Sequence, residues 1–400
     1  MFRSQTVDEV AYWELTAYVR PQDPISNLIY SGYGLFCSIQ EMSNAEKYIV
    51  NMSKDNIIIT QDSLDIVLII GESFIKRHSS LYGYPLETTP IMRQEMKEGR
   101  LFPFSNVVSP TNGTTMAIRQ MLYTNSIAAK ESWSKSMYAP AVFKSAGYTV
   151  SFWDNQKTQW VDAGFTFSLN GLLYNKAISR ISYSFVNDSS FTYDGQLITD
   201  FEKHAFTQQS KHNFILFHLL GQHIDWSARY PQETRYEYFT KDSIFRSELW
   251  MTDDKRADIA KYDNALRYGD VVIGQVLALY RHRNAVVVFL SDHGEEVFDY
   301  RDSKGRVEDK MGIELLQAQY EIPFIIWCSD KYKEHNPQQI ERIKKYIDRP
   351  FSIDNLPHLL FGLGCIQSPY YYVERDLLSP SFKPRKRIIE MKYDYDEFFE

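Results

Sequence analysis

The stretch Asp65-Ile-Val-Leu-Ile-Ile70, followed at once by Gly71-Glu72-Ser73, decides the fold. It is a short apolar run closed by a glycine and two polar residues. That pattern marks a strand buried on both faces of a parallel sheet. The carboxyl end of such a strand is where α/β sheets gather ligands. Similar runs recur along the chain. Tyr148-Thr-Val-Ser-Phe-Trp153 precedes Asp154-Asn155, and Phe214-Ile-Leu-Phe-His-Leu-Leu220 precedes Gly221-Gln222-His223. Ala285-Val-Val-Val-Phe-Leu290 precedes Ser291-Asp292-His293-Gly294, and Ile322-Pro-Phe-Ile-Ile-Trp327 is a fifth run. Helical patterns lie between them, as at 137–147 and 256–280. The alternation predicts an α/β fold: a three-layer α/β/α sandwich with a mostly parallel central sheet.

Around this body, residues 1–60 read as an N-terminal helical linker, with helix expected at 43–52 and Pro and Gly punctuation in PISNLIYSGYGLF (24–36). Residues 61–380 form the main domain. Residues 381–400 read as a charged C-terminal extension, with a final strand or extension before a solvated tail. No internal repeat or low-complexity tract is present.

Composition narrows the function classes. The 400 residues are 44% hydrophobic and 24% charged, as in an ordinary globular chain. A net charge of −7 argues against a nucleic-acid partner, which would favour a basic face. Cys37, Cys328 and Cys365 show no CxxC spacing, so a zinc ribbon is not expected, although one pair is left open to bridge. No run reaches the roughly 18 apolar residues that suggest a membrane span. The start, MFRSQTVDEVAYWEL, lacks the apolar core of a signal peptide.

Polar clusters close several of the strands. Glu72 follows the first, and Asp292 and His293 follow a later one. One Glu, one Asp and one His make an N/O ligand set for zinc or manganese. The competing reading is that each is a turn or cap residue. Ser109-Pro-Thr-Asn-Gly-Thr-Thr115 is a polar loop before a helix expected from Met116 to Tyr123. Its hydroxyls are either helix caps or a nucleophile activated by the helix end and a metal. Asn155 and Gln156, at a strand end, are candidate substrate contacts. His218 reads as a core histidine, and Tyr82 and Tyr84 as packing residues. His78 reads either as shaping the first site loop or as purely structural.

Here the chain resembles a known family. GESFIKRHSSLYGYPLETTP (71–90), NVVSPTNGTTMAIRQML (106–122), FHLLGQH (217–223), YDNALRYGDVVIGQVL (262–277) and SDHGEEVFD (291–299) look like segments of the phosphoethanolamine transferases of Gram-negative bacteria. These are alkaline phosphatase/sulfatase-superfamily enzymes, and the likeness is greatest to the branch that modifies lipopolysaccharide core sugars. It runs, with gaps, from about 65 to 365. It implies zinc held by Glu72, Thr114, Asp292 and His293, with a second zinc and manganese as alternatives. It implies Thr114 as the nucleophile toward phosphatidylethanolamine, with Thr115 as the alternative. Phosphoethanolamine would be carried on the threonine and passed to a lipopolysaccharide or other envelope-glycan acceptor. His223 matches a histidine near the phosphoryl group or a second metal. Glu295 matches an acid suited to the ethanolamine ammonium. The family's domain sits on the periplasmic face of the inner membrane, after transmembrane helices that this chain lacks, so PISNLIYSGYGLF is expected at a membrane surface. A monomer is expected.

The chain also departs from the pattern. Ala318 stands about where many members have a further histidine, and the cysteine-flanked nucleophile loop of the lipid A branch is missing. A sulfatase is the first rival, but the Cys/Ser-x-Pro/Ala-x-Arg signature is absent and Thr cannot become formylglycine. A glycerol-phosphate transferase, a phosphodiesterase or phosphatase, and a degenerate binding domain complete the alternatives.

Overall fold

The computed structural model describes residues 23–156, 173–206, 210–306 and 312–399. Residues 1–22 of the N-terminal segment and Glu400 lie outside the described residues. The central sheet has seven strands: β1 (Leu64–Gly71), β2 (Leu101–Pro103), β3 (Thr149–Asp154), β4 (Phe185–Val186), β5 (His212–His218), β6 (Ala285–Ser291) and β7 (Phe324–Cys328), in the order β2-β7-β6-β1-β5-β3-β4. The five strands from β6 to β4 run parallel. At the other edge β7 is antiparallel to β6, and β2 to β7.

The apolar run is buried along its whole length because both faces are covered. Alternate side chains point to opposite faces. Ile66, Leu68 and Ile70 join one core, with the helices Thr114–Leu122, Ala139–Ala146 and Leu356–Leu363. Val67 and Ile69 join the other, with Pro90–Lys97, Asp194–His204 and Asp253–Tyr280. These are the three layers expected from the strand pattern. The three cysteines are separate thiols, so the open possibility of a bridge is not realised.

Two terminal segments add to the expectation. Pro24–Val50 is a single helix of 27 residues, which runs through the Pro- and Gly-punctuated stretch as well as the helix expected at 43–52. Asp23 caps it by accepting from the Ser26 N–H at 2.8 Å, and Pro24 sits in the first turn, where its missing N–H costs nothing. Gly32 and Gly34 weaken the helix but do not end it, because Cys37, Glu41, Ala45 and Ile49 bury one face at spacing four. Near the C-terminus, Ile388–Ile389 pairs antiparallel with Tyr393–Asp394. Ile389 and Tyr395 are buried with Val108, Leu316 and Tyr320, so this part of the expected solvated tail is docked. Its apolar residues are spaced among charges, which hid them from a composition reading.

Two glycines permit close approaches around the strand ends. Gly221 has φ +50, and a Cβ there would lie 2.6 Å from the Glu72 backbone nitrogen. A Cβ on Gly294 would lie 1.9 Å from the carbonyl oxygen of Ala318, while the Gly294 N–H donates to Gln319 O at 2.8 Å. The Ala318 backbone packs directly against Gly294, and Gln319 accepts its N–H, at the position where the resemblance implies a histidine. Gly294→Ala is expected to destabilise the chain by about 1–3 kcal/mol or more through overpacking. Thermal unfolding checks this, and an unchanged midpoint would contradict it.

Candidate active site and metal centre

The register of two adjacent parallel strands builds the site. Gly71 of β1 pairs with Ser291 of β6, so the next residues, Glu72 and Asp292-His293, leave the sheet side by side. All three are fully buried. One donor atom from each lies within 4.8 Å of the others. His293 Nε2 is 3.2 Å from Glu72 Oε1 and 3.2 Å from Asp292 Oδ2. His293 Nδ1 is 2.7 Å from the Gly294 carbonyl oxygen, a pairing only an N–H can make. A neutral His293 therefore turns its Nε2 lone pair toward the carboxylates. Asp292 Oδ1 accepts from the backbone N–H groups of Ser73 and His293 at 3.1 and 2.8 Å, and Glu72 Oε1 accepts from Ser73 Oγ at 2.7 Å. Ser73 holds φ +56, a strained conformation for a non-glycine residue, at the turn that aims Glu72.

Thr114 brings a hydroxyl to this group. The helix begins at Thr114 rather than Met116, its N-cap is Gly113, and no side-chain capping bond is made there. Thr114 Oγ1 instead donates to Glu72 Oε2 at 2.9 Å and stands 3.2 Å from His293 Nε2. Thr115, about 100° further round the helix, makes no hydrogen bond to the group among the described residues.

Residues 65–364 match the sulfatase family. The chain belongs to that family. It is 28% identical over 346 residues to the phosphoethanolamine transferase EptC of Escherichia coli (strain K12), covering 83% of this chain and 57% of that protein. The chain thus spans little more than half the length of that relative. The crystal structure of the C-terminal periplasmic domain of EptC from Escherichia coli superposes with a TM-score of 0.72 at 27% identity, covering 85% of this chain and 95% of that one. A structure of that domain in complex with Zn gives 0.70 at 26%, with the same coverage.

In this sulfatase-family site the charge balance is uneven. Burial, then the neighbouring Glu72, pushes the Asp292 carboxyl up to about 7. For Glu72, burial is outweighed by His293, helped by His223 and Arg306, which hold it well below the ordinary range. For His293, burial and Arg306 are outweighed by Asp292 and Glu72, which raise it. Asp292 Oδ2 is buried without a hydrogen-bond partner. A divalent cation would let both carboxylates ionise and would occupy that oxygen. The donor set, two carboxylates, one imidazole and a hydroxyl, fits zinc.

The other expected site residues divide. Gln156 Nε2 donates to Glu72 Oε2 at 3.3 Å and to Leu219 O at 2.8 Å, so it steadies the cluster. His223 is half-buried and close enough to act on the Glu72 charge. Glu295 is buried, with Oε2 3.5 Å from Arg306 Nε. Asn155 departs from the expectation of substrate contact. Its amide donates to Asp194 and accepts from the Phe191 N–H, which directs it into the frame. His218 is a buried residue paired with Asp154 at 2.9 Å. Tyr82 and Tyr84 do more than pack: Tyr82 donates to Phe324 O at 2.9 Å, and Tyr84 donates to Asp263 and stacks on His78. His78 is clamped between Asp263 (2.6 Å) and Asp299 (3.1 Å).

Sequence reading missed Arg306. Its Nη1 lies 2.5 Å from His293 Nε2 and 2.6 Å from Asn112 O. A single Arg in a polar loop carries no signal that separates it from a solvated one. Glu390, from the C-terminal segment, was also missed. Its Oε1 accepts from the Asn112 N–H at 3.1 Å and from Tyr320 OH at 2.8 Å, so it holds the loop before Thr114 from behind.

Burial pushes the Glu390 carboxyl up to about 8 against the Asn112 N–H. The folded value lies above the unfolded one. As pH rises past about 4.5 the unfolded chain ionises while the native group stays protonated, so this group lowers stability until about pH 8. Glu390→Gln keeps an acceptor oxygen and removes the titration. Its stability relative to the parent should rise from pH 4 to pH 8, with an upper bound of about 5 kcal/mol. Denaturant unfolding across that range checks this, and a pH-independent difference would contradict it.

Proposed function

We propose that this chain is the catalytic domain of a zinc-dependent transferase that moves phosphoethanolamine from phosphatidylethanolamine to a lipopolysaccharide or other envelope-glycan acceptor through Thr114. The observation that carries the reading is the Thr114 hydroxyl, shared between Glu72 and His293 rather than used as a cap. Similarity to EptC of Escherichia coli supports the donor group, and the Zn complex of that relative's domain supports the metal.

Glu72, Asp292, His293 and Thr114 would hold one zinc ion. Bound there, it supplies Lewis acidity that favours the alkoxide of a coordinated hydroxyl and polarises a phosphoryl oxygen. Glu72 Oε2 accepts the Thr114 proton. Thr114 Oγ1 attacks phosphorus in line, the bond from phosphorus to the glycerol oxygen breaks, and a proton replaces phosphorus on the departing diacylglycerol. Arg306, and His223 when protonated, present donors to the charged phosphoryl oxygens. Glu295 is placed to receive the ethanolamine ammonium, alongside its contact with Arg306. In the second step an acceptor oxygen loses its proton, attacks phosphorus and returns Thr114 to its hydroxyl form.

Incubation with phosphatidylethanolamine and zinc should add the mass of one phosphoethanolamine to the protein, and Thr114→Ala should abolish the gain. An adduct retained in Thr114→Ala would overturn the nucleophile. An adduct formed only with phosphatidylglycerol would move the reading to a glycerol-phosphate transferase.

The EptC domain from Escherichia coli is periplasmic, which supports a periplasmic position, and the long N-terminal helix supports one at a membrane surface. Among the described residues no helix is long and apolar enough to cross a membrane. Pro24–Val50 nevertheless exposes Ile25, Leu28, Ile29, Leu35, Phe36 and Ile39, each 51–76% accessible and close to helical spacing along one side. Such a stripe suits an interfacial helix. Replacing Ile25, Leu28 and Ile29 by Ser should weaken flotation with liposomes about tenfold or more. Equal flotation by the variant would contradict this placement.

A further inference from the structure

The C-terminal segment that reaches the nucleophile loop also forms one wall of a basic crevice. Phe351, Asn355, Arg375, Lys383, Arg385 and Arg387 are among its lining residues, and the lining includes no acid. Its volume is about 10 Å3, room for a single oxygen atom, so a larger anion would sit across its mouth with one oxygen inside.

The lining cations fall into two groups. Arg375 is bound to Glu131, Arg387 to Asp396, and Lys386 to Asp394 and Glu397. Those carboxylates stand outside the lining. Lys383 and Arg385 have no carboxylate within ion-pair distance among the described residues, although Arg385 lies near enough to Glu131 to help hold that carboxyl below its ordinary range.

Independent observations favour an anionic ligand here. The Arg375 side chain is 6% exposed and its Nε is buried without a hydrogen-bond partner. The half-buried Arg385 also has a buried Nε without a partner. A buried guanidinium N–H left unpaired is costly, so a native site normally supplies an acceptor. The surrounding potential is positive. Burial, then Arg375 and Arg385, drives the neighbouring His358 down to about 3.

We propose that this crevice binds the phosphate group of a phosphomonoester, of the kind a phosphorylated sugar presents. Two cations without ion-pair partners match one dianion. Guanidinium N–H donors suit terminal phosphate oxygens. Asn355 Oδ1, also buried and unpartnered, is an acceptor that a bare phosphate cannot satisfy but a protonated oxygen or a neighbouring sugar hydroxyl can. Arg375 Nη1 donates to the carbonyl of Thr124, two residues beyond the helix Thr114–Leu122. The helix from Thr114 to Leu122 is about 12 Å long at 1.5 Å per residue, and the crevice lies beyond its far end from Thr114. Under the transferase reading, on which only this role depends, the crevice anchors a phosphorylated glycan acceptor at a point remote from the reacting oxygen.

The test is calorimetric titration with glucose 6-phosphate and, separately, with inorganic phosphate. It uses chain stripped of metal with EDTA and no donor lipid, so it does not depend on transfer chemistry. Saturable binding of glucose 6-phosphate is expected. It should weaken about tenfold or more in Arg385→Ala and further when Lys383→Ala is added, as loss of charge-assisted hydrogen bonds implies. Thermal midpoints should stay unchanged, and Thr114→Ala should bind like the parent. Absence of saturable binding, equal binding by the double variant, or loss of binding in Thr114→Ala would overturn the proposal. So would binding of phosphatidylglycerol vesicles by a chain that ignores the monoester.

Discussion

The site depends on the parallel pairing of β1 with β6, in the register that sets Gly71 opposite Ser291. Slipping a strand by one residue would turn every side chain to the other face, and both strands are buried along their full length. The cores on the two faces therefore fix the register. The register in turn brings the Glu72 and Asp292 carboxylates and the His293 imidazole together in a buried place. Two acids in that position cannot both ionise comfortably without a counter-charge. The same apolar packing that stabilises the sheet thus creates the need for a cation at its end.

The surrounding parts hold that arrangement from several directions. Gln156 and Ser73 fix Glu72, backbone N–H groups fix Asp292, and the Gly294 carbonyl fixes the imidazole tautomer. The loop before Thr114 is held at Asn112, whose N–H is bound by Glu390 and whose carbonyl is bound by Arg306. Arg306 also meets His293 and Glu295, so one side chain links the buried Glu72, Asp292 and His293 cluster, the loop and Glu295. The N-terminal helix joins the same frame through Glu41, 3.5 Å from Arg119 on the helix that begins with Thr114.

Much of this was legible in the sequence, and the gaps have physical reasons. Apolar runs ending in Glu72 and in Asp292-His293 disclosed the sheet and its carboxyl edge, because full burial leaves a composition signal. Local sequence left Thr114 open between cap and nucleophile, since both roles place a hydroxyl at a helix start. The contact with Glu72 is the observation on which the proposed nucleophile rests. The helix through Gly32 and Gly34 was hidden because tertiary burial of Cys37, Glu41, Ala45 and Ile49 overrides weak local propensity. Arg306 and Glu390 were invisible for a different reason. A charged residue in a polar segment shows its role only when long-range contacts are known, and Asn155 misled for the same reason.

The central claim is that three strand-end ligands and Thr114 surround one metal ion. Anomalous diffraction at the zinc edge, from crystals of this chain grown with zinc, tests it most directly. The account predicts a peak bounded by Glu72, Asp292, His293 and the Thr114 oxygen, with Arg306 displaced from His293 Nε2. Zinc bound only elsewhere, with Arg306 still on that nitrogen, would contradict it.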